Sequence, residues 1–110
     1  MRFLDSLATL GVRRAVLTAT DGLVIESVGS GTPSAELLAA ELASLHRSMQ
    51  RLAEGLGGRI RRFTLATEER EVLVVVVGEY CLGAVVERGG DRRAVGTELS
   101  RLASRLFEQL

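Results

Sequence analysis

Residues 72–87 read VLVVVVGEYCLGAVVE, six apolar residues, Gly-Glu, then a second mostly apolar run. A membrane-spanning helix needs roughly 20 apolar residues without a charge. Glu79 interrupts this stretch, and Glu87 and Arg88 close it. β-Branched Val also favours strands over short helices. The stretch therefore predicts two strands, 72–77 and 80–87, joined by a tight turn at Gly78-Glu79. Gly at the first turn position suits a type II′ hairpin. Strands without polar alternation are covered on both faces, so the rest of the chain must place helices on each side of a sheet.

Upstream, RIRRFTLAT (59–67) reads as a strand with Arg59, Arg61, Phe63 and Leu65 on one face and Ile60, Arg62, Thr64 and Ala66 on the other. So many arginines fit an edge position. Before it, a helix over 34–56 repeats Leu38, Leu42, Leu45, Met49, Leu52 and Leu56 at helical spacing, one narrow apolar stripe. Thr32 or Ser34 can cap it, and Pro33 fits the first helical position if Thr32 is the cap. Gly57-Gly58 stops it. Further upstream, VRRAVLTA (12–19) predicts a strand, Asp21-Gly22 a hairpin turn and 23–28 the returning strand. Leu23, Ile25 and Ser27 fall on one face of that strand and Val24, Glu26 and Val28 on the other, a mixture that places it near the sheet edge. Residues 2–10 predict a short helix ending at Gly11, and Asp91 caps a last helix running to about Gln109 with Val95, Leu99, Leu102, Ala103 and Leu106 inward.

The order is α-β-β-α-β-β-β-α, an α+β fold. A five-stranded, mostly antiparallel sheet lies between the long helix on one face and the two terminal helices on the other. Strands 12–19, 72–77 and 80–87 are central, and 23–28 and 59–67 are the edges. The 110 residues suffice for one domain, 1–110.

Composition narrows the function. Arginine supplies all 14 basic residues, and 14 acidic residues balance them. Zero net charge gives no pull toward nucleic acid or an anionic membrane. The absence of Lys removes the P-loop lysine and Schiff-base chemistry. One His and one Cys, His46 and Cys81, cannot build a multi-His or multi-Cys zinc site within one chain. The N-terminal stretch lacks the long apolar core of a signal peptide, and the expected location is cytoplasmic.

With this order in hand, the chain resembles the roadblock/LC7 superfamily, which includes bacterial MglB-like members. The likeness rests on GVRRAVLTATDGLVIES, AELLAAELASLHRSMQRLAEGLG and RRFTLATEEREVLVVVVGEYCLGAVVE in sequence. It implies a non-catalytic homodimer that regulates or scaffolds a small Ras-like GTPase, with no cofactor and no metal. It also implies that strand 59–67 pairs with its mate, that the long helices pack side by side, and that no arginine finger is donated. The alternative is a homo-oligomeric scaffold or adaptor without a GTPase partner.

Individual residues fit that frame. Ala40, Ser44 and Ser48 are small and would let a second helix approach; with Arg61 and Phe63 they are the expected dimer contacts. Glu36, Arg47, Arg51 and Glu54 lie away from the apolar stripe and are the expected partner contacts. His46 sits beside the stripe without a second ligand at helical spacing, and reads as a margin residue. Cys81 lacks a paired base and reads as a small core hydrophobe. Asp21 and Gly22 have a complete explanation as a turn. The pairs Arg13-Arg14, Arg61-Arg62 and Arg92-Arg93 have no interleaved aromatics, as a nucleic-acid surface would, and read as solvated or interfacial. GSGTPS (29–34) opens a helix, and a Gly-rich entry alone is a weak anion-binding signal.

Overall fold

The computed structural model describes residues 2–109. The elements are α1 (Asp5–Ala8), β1 (Arg14–Ala19), β2 (Val24–Gly29), α2 (Ala35–Leu56), β3 (Arg62–Ala66), β4 (Arg70–Val77), β5 (Tyr80–Glu87) and α3 (Arg92–Glu108). The strands form one sheet in the order β2-β1-β5-β4-β3. Every neighbouring pair is antiparallel. The two arginine-bearing or mixed strands are at the edges, and the apolar strands are inside, as expected.

The β4–β5 hairpin closes on the pair Val77 and Tyr80. Gly78 has φ +56°, and no non-glycine residue in the described chain has positive φ. A positive φ at the first central residue alone is what a type II′ turn requires. Along β4, Val74 belongs to the core cluster under α2, with Val72 and Val76 at its margin. Leu73 and Val77 belong to the opposite cluster. Both faces of the strand are covered, which is why its residues do not alternate with polar ones.

The β1–β2 hairpin departs from a two-residue turn. Its closing pair is Ala19 and Leu23, with Ala19 N–H donating to the Leu23 carbonyl at 3.2 Å. Thr20, Asp21 and Gly22 make the loop, and the Asp21 carboxylate accepts from Leu23 N–H at 2.9 Å. Register then slips between Leu17 and Thr18, which pair with Glu26 and Val24 and leave Ile25 as the extra residue of a bulge. The bulge corrects the expected faces of β2. Val24 packs at the margin of the α2-side core and Val28 at that of the other core. Glu26 accepts a hydrogen bond from Leu4 N–H at 2.6 Å.

α1 is a single turn, shorter than the expected helix over 2–10. Its N-cap, Leu4, offers no side-chain cap, and Asp5 spends its carboxylate on Arg2 N–H at 2.8 Å. At the start of α2, Ser34 is the cap and accepts from Leu37 N–H at 3.1 Å. Pro33 therefore precedes the cap and is not the first helical residue. Asp91 caps α3 by accepting from Ala94 N–H at 3.0 Å.

α2 packs on β1, β2 and β5, and α3 on β4 and β5, with α1 beside β1 and β2. Leu38 and Leu42 are buried with Val16, Val74 and Val85. Gly83 sits between Val16 and Val74 in the sheet, and a Cβ there would come within 2.5 Å of Leu42 Cδ1. The missing side chain is what lets α2 lie so close. Leu42→Ala is therefore expected to cost about 2–5 kcal/mol, since a glycine floor cannot fill the void; chemical denaturation measures it.

Candidate functional site

The buried residues of α2 end at Ala43, although the helix continues for the rest of its 22 residues to Leu56. The apolar stripe expected to face the sheet throughout is therefore divided. Leu45 is only half-buried and lies outside both core clusters. Leu52 is 66% exposed and Leu56 81% exposed. The sheet under this half is narrow, because β3 has only five residues and pairs only through β4 within the chain. Between the overhanging helix and β3 lies a groove of about 640 Å³ whose apolar wall includes Met49, Leu52, Leu56, Ile60 and Phe63. Its outer boundary is the unpaired edge of β3, where Leu65 is 54% exposed.

At 3.6 residues per turn, Glu36, Arg47, Arg51 and Glu54 fall on one flank of α2, opposite the flank of Leu45, Leu52 and Leu56. Arg47 Nη1 reaches the Thr20 carbonyl at 3.5 Å, so this charged flank borders the β1–β2 turn. Glu36, Arg47, Arg51 and Glu54 are all exposed. Of the residues expected at a dimer contact, Ala40 stands beside the same turn, 3.4 Å from where a Gly22 Cβ would be. Ser44 and Ser48 are exposed on the outer face, and Ser48 Oγ donates to the Ser44 carbonyl at 3.0 Å. Arg61 precedes β3 and is exposed, while Phe63 is half-buried at the margin of the α2-side core. The structure thus gathers the four charged residues on one flank, and sets Phe63 beside the groove on the other.

Arg13 and Arg14, expected to be solvated or interfacial, are instead half-buried and hold the loop that leads into α2. Arg14 donates to the carbonyls of Pro33, Gly29 and Gly31 at 3.1, 2.9 and 2.9 Å. Arg13 donates to the Thr32 carbonyl and to Glu87 Oε1, the latter at 3.0 Å. The Gly-rich loop therefore presents carbonyls to its own arginines. Glu87 also meets Arg70 at 3.1 Å, and hydrogen bonding from Arg70, then from Arg13, holds its carboxyl below the ordinary range. Arg92 pairs with Glu71 at 2.8 Å.

Glu98 joins α1 to α3. It accepts from Arg101 Nη2 at 2.5 Å and from Ser6 Oγ. The Arg101 hydrogen bond is the main cause of a carboxyl pKa held at about 2 instead of 4.5. A depressed folded-state pKa contributes stability that is present above the ordinary value and lost as pH falls through the folded one. The wild type is expected to lose melting temperature between about pH 4.5 and 2 through this group. Glu98→Gln should melt lower near neutrality and lose less over that acid interval.

The nucleophile inventory is short. Cys81 is fully buried, and desolvation pushes its thiol up to about 11, so it is protonated at neutral pH. His46 is half-buried, in a groove with Thr20 and Gln50. Among the described residues no three His, Cys, Asp or Glu side chains gather where a metal could be held. No described helix is long and apolar enough to cross a membrane.

An unfinished sheet edge, an apolar overhang and a separate charged flank define the class: a protein-interaction domain of α+β type. The chain belongs to the Roadblock/LC7 domain family, whose profile matches residues 3–87; domains of this family are non-catalytic scaffolds and regulators. Among solved structures it is similar to a gliding protein MglB from Thermus thermophilus, with TM-score 0.86 and 24% identity over 96% of this chain and 84% of that one. It is also similar to MglB of Myxococcus xanthus, with TM-score 0.86 and 17% identity over 96% and 89% of the two chains. A Roadblock/LC7 domain from Streptomyces avermitilis matches with TM-score 0.76 and 26% identity over 86% and 82%. No curated protein matches in sequence.

Proposed function

We propose that this protein is a non-catalytic homodimer that regulates or scaffolds a small Ras-like GTPase. The observation that carries it is the unfinished half of the fold: a bare β3 edge beside an apolar groove, in a chain whose fold is that of MglB proteins. An edge strand left unpaired exposes a row of donors and acceptors, and RFTLA contains no proline to block pairing. Antiparallel pairing of two β3 strands continues the sheet across a two-fold axis. Each copy's Leu52 and Leu56 then close over the Phe63 and Leu65 side of the joint, with Arg61 meeting Glu68 of the partner subunit. Ser44 and Ser48 border the paired helices, and Ala40 lies farthest from the axis.

Dimerising through the apolar flank leaves the charged flank free. Glu36, Arg47, Arg51 and Glu54 then face the GTPase, and mixed charges of this kind give specificity at modest desolvation cost. The likeness to MglB-like members implies that the domain works by positioning the GTPase's own residues, without inserting an arginine. Affinity purification of the tagged protein from its own cells is expected to bring down a Ras-like GTPase. A consistent set of other proteins, with no GTPase among them, would favour an adaptor that dimerises in the same way.

A further inference from the structure

The other face of the sheet carries a strip that GTPase binding through α2 does not use. α1 lies beside β1 and β2 and α3 covers β4 and β5, so no helix covers β3 on this side. The outcome is a groove of about 420 Å³, floored by Leu73 and Val75 and walled by Arg62 of β3 and by Arg93, Gly96 and Ser100 of α3. A second depression of about 1050 Å³ shares Arg62, Val75 and Ser100 with it and carries it along α3 to Phe107, which is 69% exposed.

Backbone chemistry limits what can lie here. β4 is paired on both sides, to β3 and to β5, so the floor offers no free N–H or C=O. An occupant has to satisfy its own backbone, which a helix does and an extended peptide does not. Gly96, Ser100 and Ser104 recur every fourth residue along the α3 wall, and small side chains permit a close helix–helix approach. Charge sets the occupant's polarity. Arg62 and Arg93 make no side-chain hydrogen bond or ion pair with any described residue, and the first groove is lined by three arginines and no carboxylate. In a chain of zero formal net charge, that is a local positive excess beside an apolar floor.

We propose that the groove between α3 and β3 docks an acidic amphipathic helix from a partner protein, with its apolar side on Leu73 and Val75 and its carboxylates on Arg62 and Arg93. Pairing through the β3 edge leaves this face open, so docking there is independent of both the dimer and the GTPase surface.

The test is selection of a display library of helical peptides on the wild-type protein, counter-selected on Ser100→Trp, which fills the groove from the α3 side. Thr64→Trp fills it from β3 and serves if the first variant melts early. The enriched peptides should carry apolar residues at helical spacing and a net negative charge. Their synthetic versions should shift the amide resonances of residues 62–64, 73–75 and 96–104. Arg62→Glu with Arg93→Glu should weaken them by about tenfold or more. The proposal is overturned if no groove-dependent peptide emerges, if the winners are neutral or basic, or if they bind as extended strands along the β3 edge and tolerate both tryptophan variants.

Discussion

Leu52→Arg combined with Leu56→Arg is expected to turn the protein from a dimer into a monomer at micromolar concentration while leaving its fold intact. In the single chain these side chains are 66% and 81% exposed, so replacing them disturbs little of the monomer's core and should cost under about 0.5 kcal/mol each. In the proposed dimer the contact is isologous, and each substitution counts twice. Burying a leucine is worth about 1.5–3 kcal/mol, so four lost side chains remove about 6 kcal/mol or more of association. At 1.4 kcal/mol per tenfold, that is a weakening of about 10⁴-fold. Light scattering reads the mass, and a thermal melt shows whether the fold survives. A dimer of unchanged mass would place the interface away from the overhanging half of α2.

The second large effect concerns the charged flank. Arg47→Glu with Arg51→Glu should leave the dimer mass unchanged and abolish binding to the cognate GTPase. Both residues are exposed, and the only hydrogen bond of either side chain among the described residues is the long contact from Arg47 to the Thr20 carbonyl. Their reversal therefore takes little from the fold. It replaces two cations by two anions on a flank already holding Glu36 and Glu54, and like charges across a docked surface cost several kcal/mol. Undiminished calorimetric binding by the double variant would move the GTPase to another face.

What could be read in the sequence follows from the range of each signal. Long apolar runs mark β4 and β5 because both their faces are buried, and the arginines at 59–62 mark an edge because a central strand could not solvate them. Ile25 shows the limit. Strict alternation puts it with Leu23 and Ser27, but one extra residue in β2 shifts the face of everything before it, and no local pattern announces the bulge. The leucine stripe of α2 reveals an apolar side without saying what covers it. Leu38 and Leu42 meet their own sheet, while Leu52 and Leu56, identical in spacing, overhang it. Arg13 and Arg14 look solvated until tertiary structure brings the carbonyls of residues 29–33 to them. Gly83 reads as an ordinary strand residue, and only the height of α2 over the sheet shows why a side chain does not fit there. The four charged residues Glu36, Arg47, Arg51 and Glu54 share a flank of α2 by helical periodicity alone, so their grouping was visible before any folding.

The central claim is that two copies of this chain present a surface to a Ras-like GTPase, and calorimetric titration of the purified protein against the Ras-like GTPases encoded in the same genome tests it most directly. Each GTPase is to be loaded in turn with GDP and with a non-hydrolysable GTP analogue. One of them is expected to bind saturably, with a stoichiometry showing that the dimer is the binding unit and with affinity that depends on the nucleotide. Absence of binding by every encoded Ras-like GTPase in either nucleotide state would contradict the account and leave a dimeric adaptor in its place.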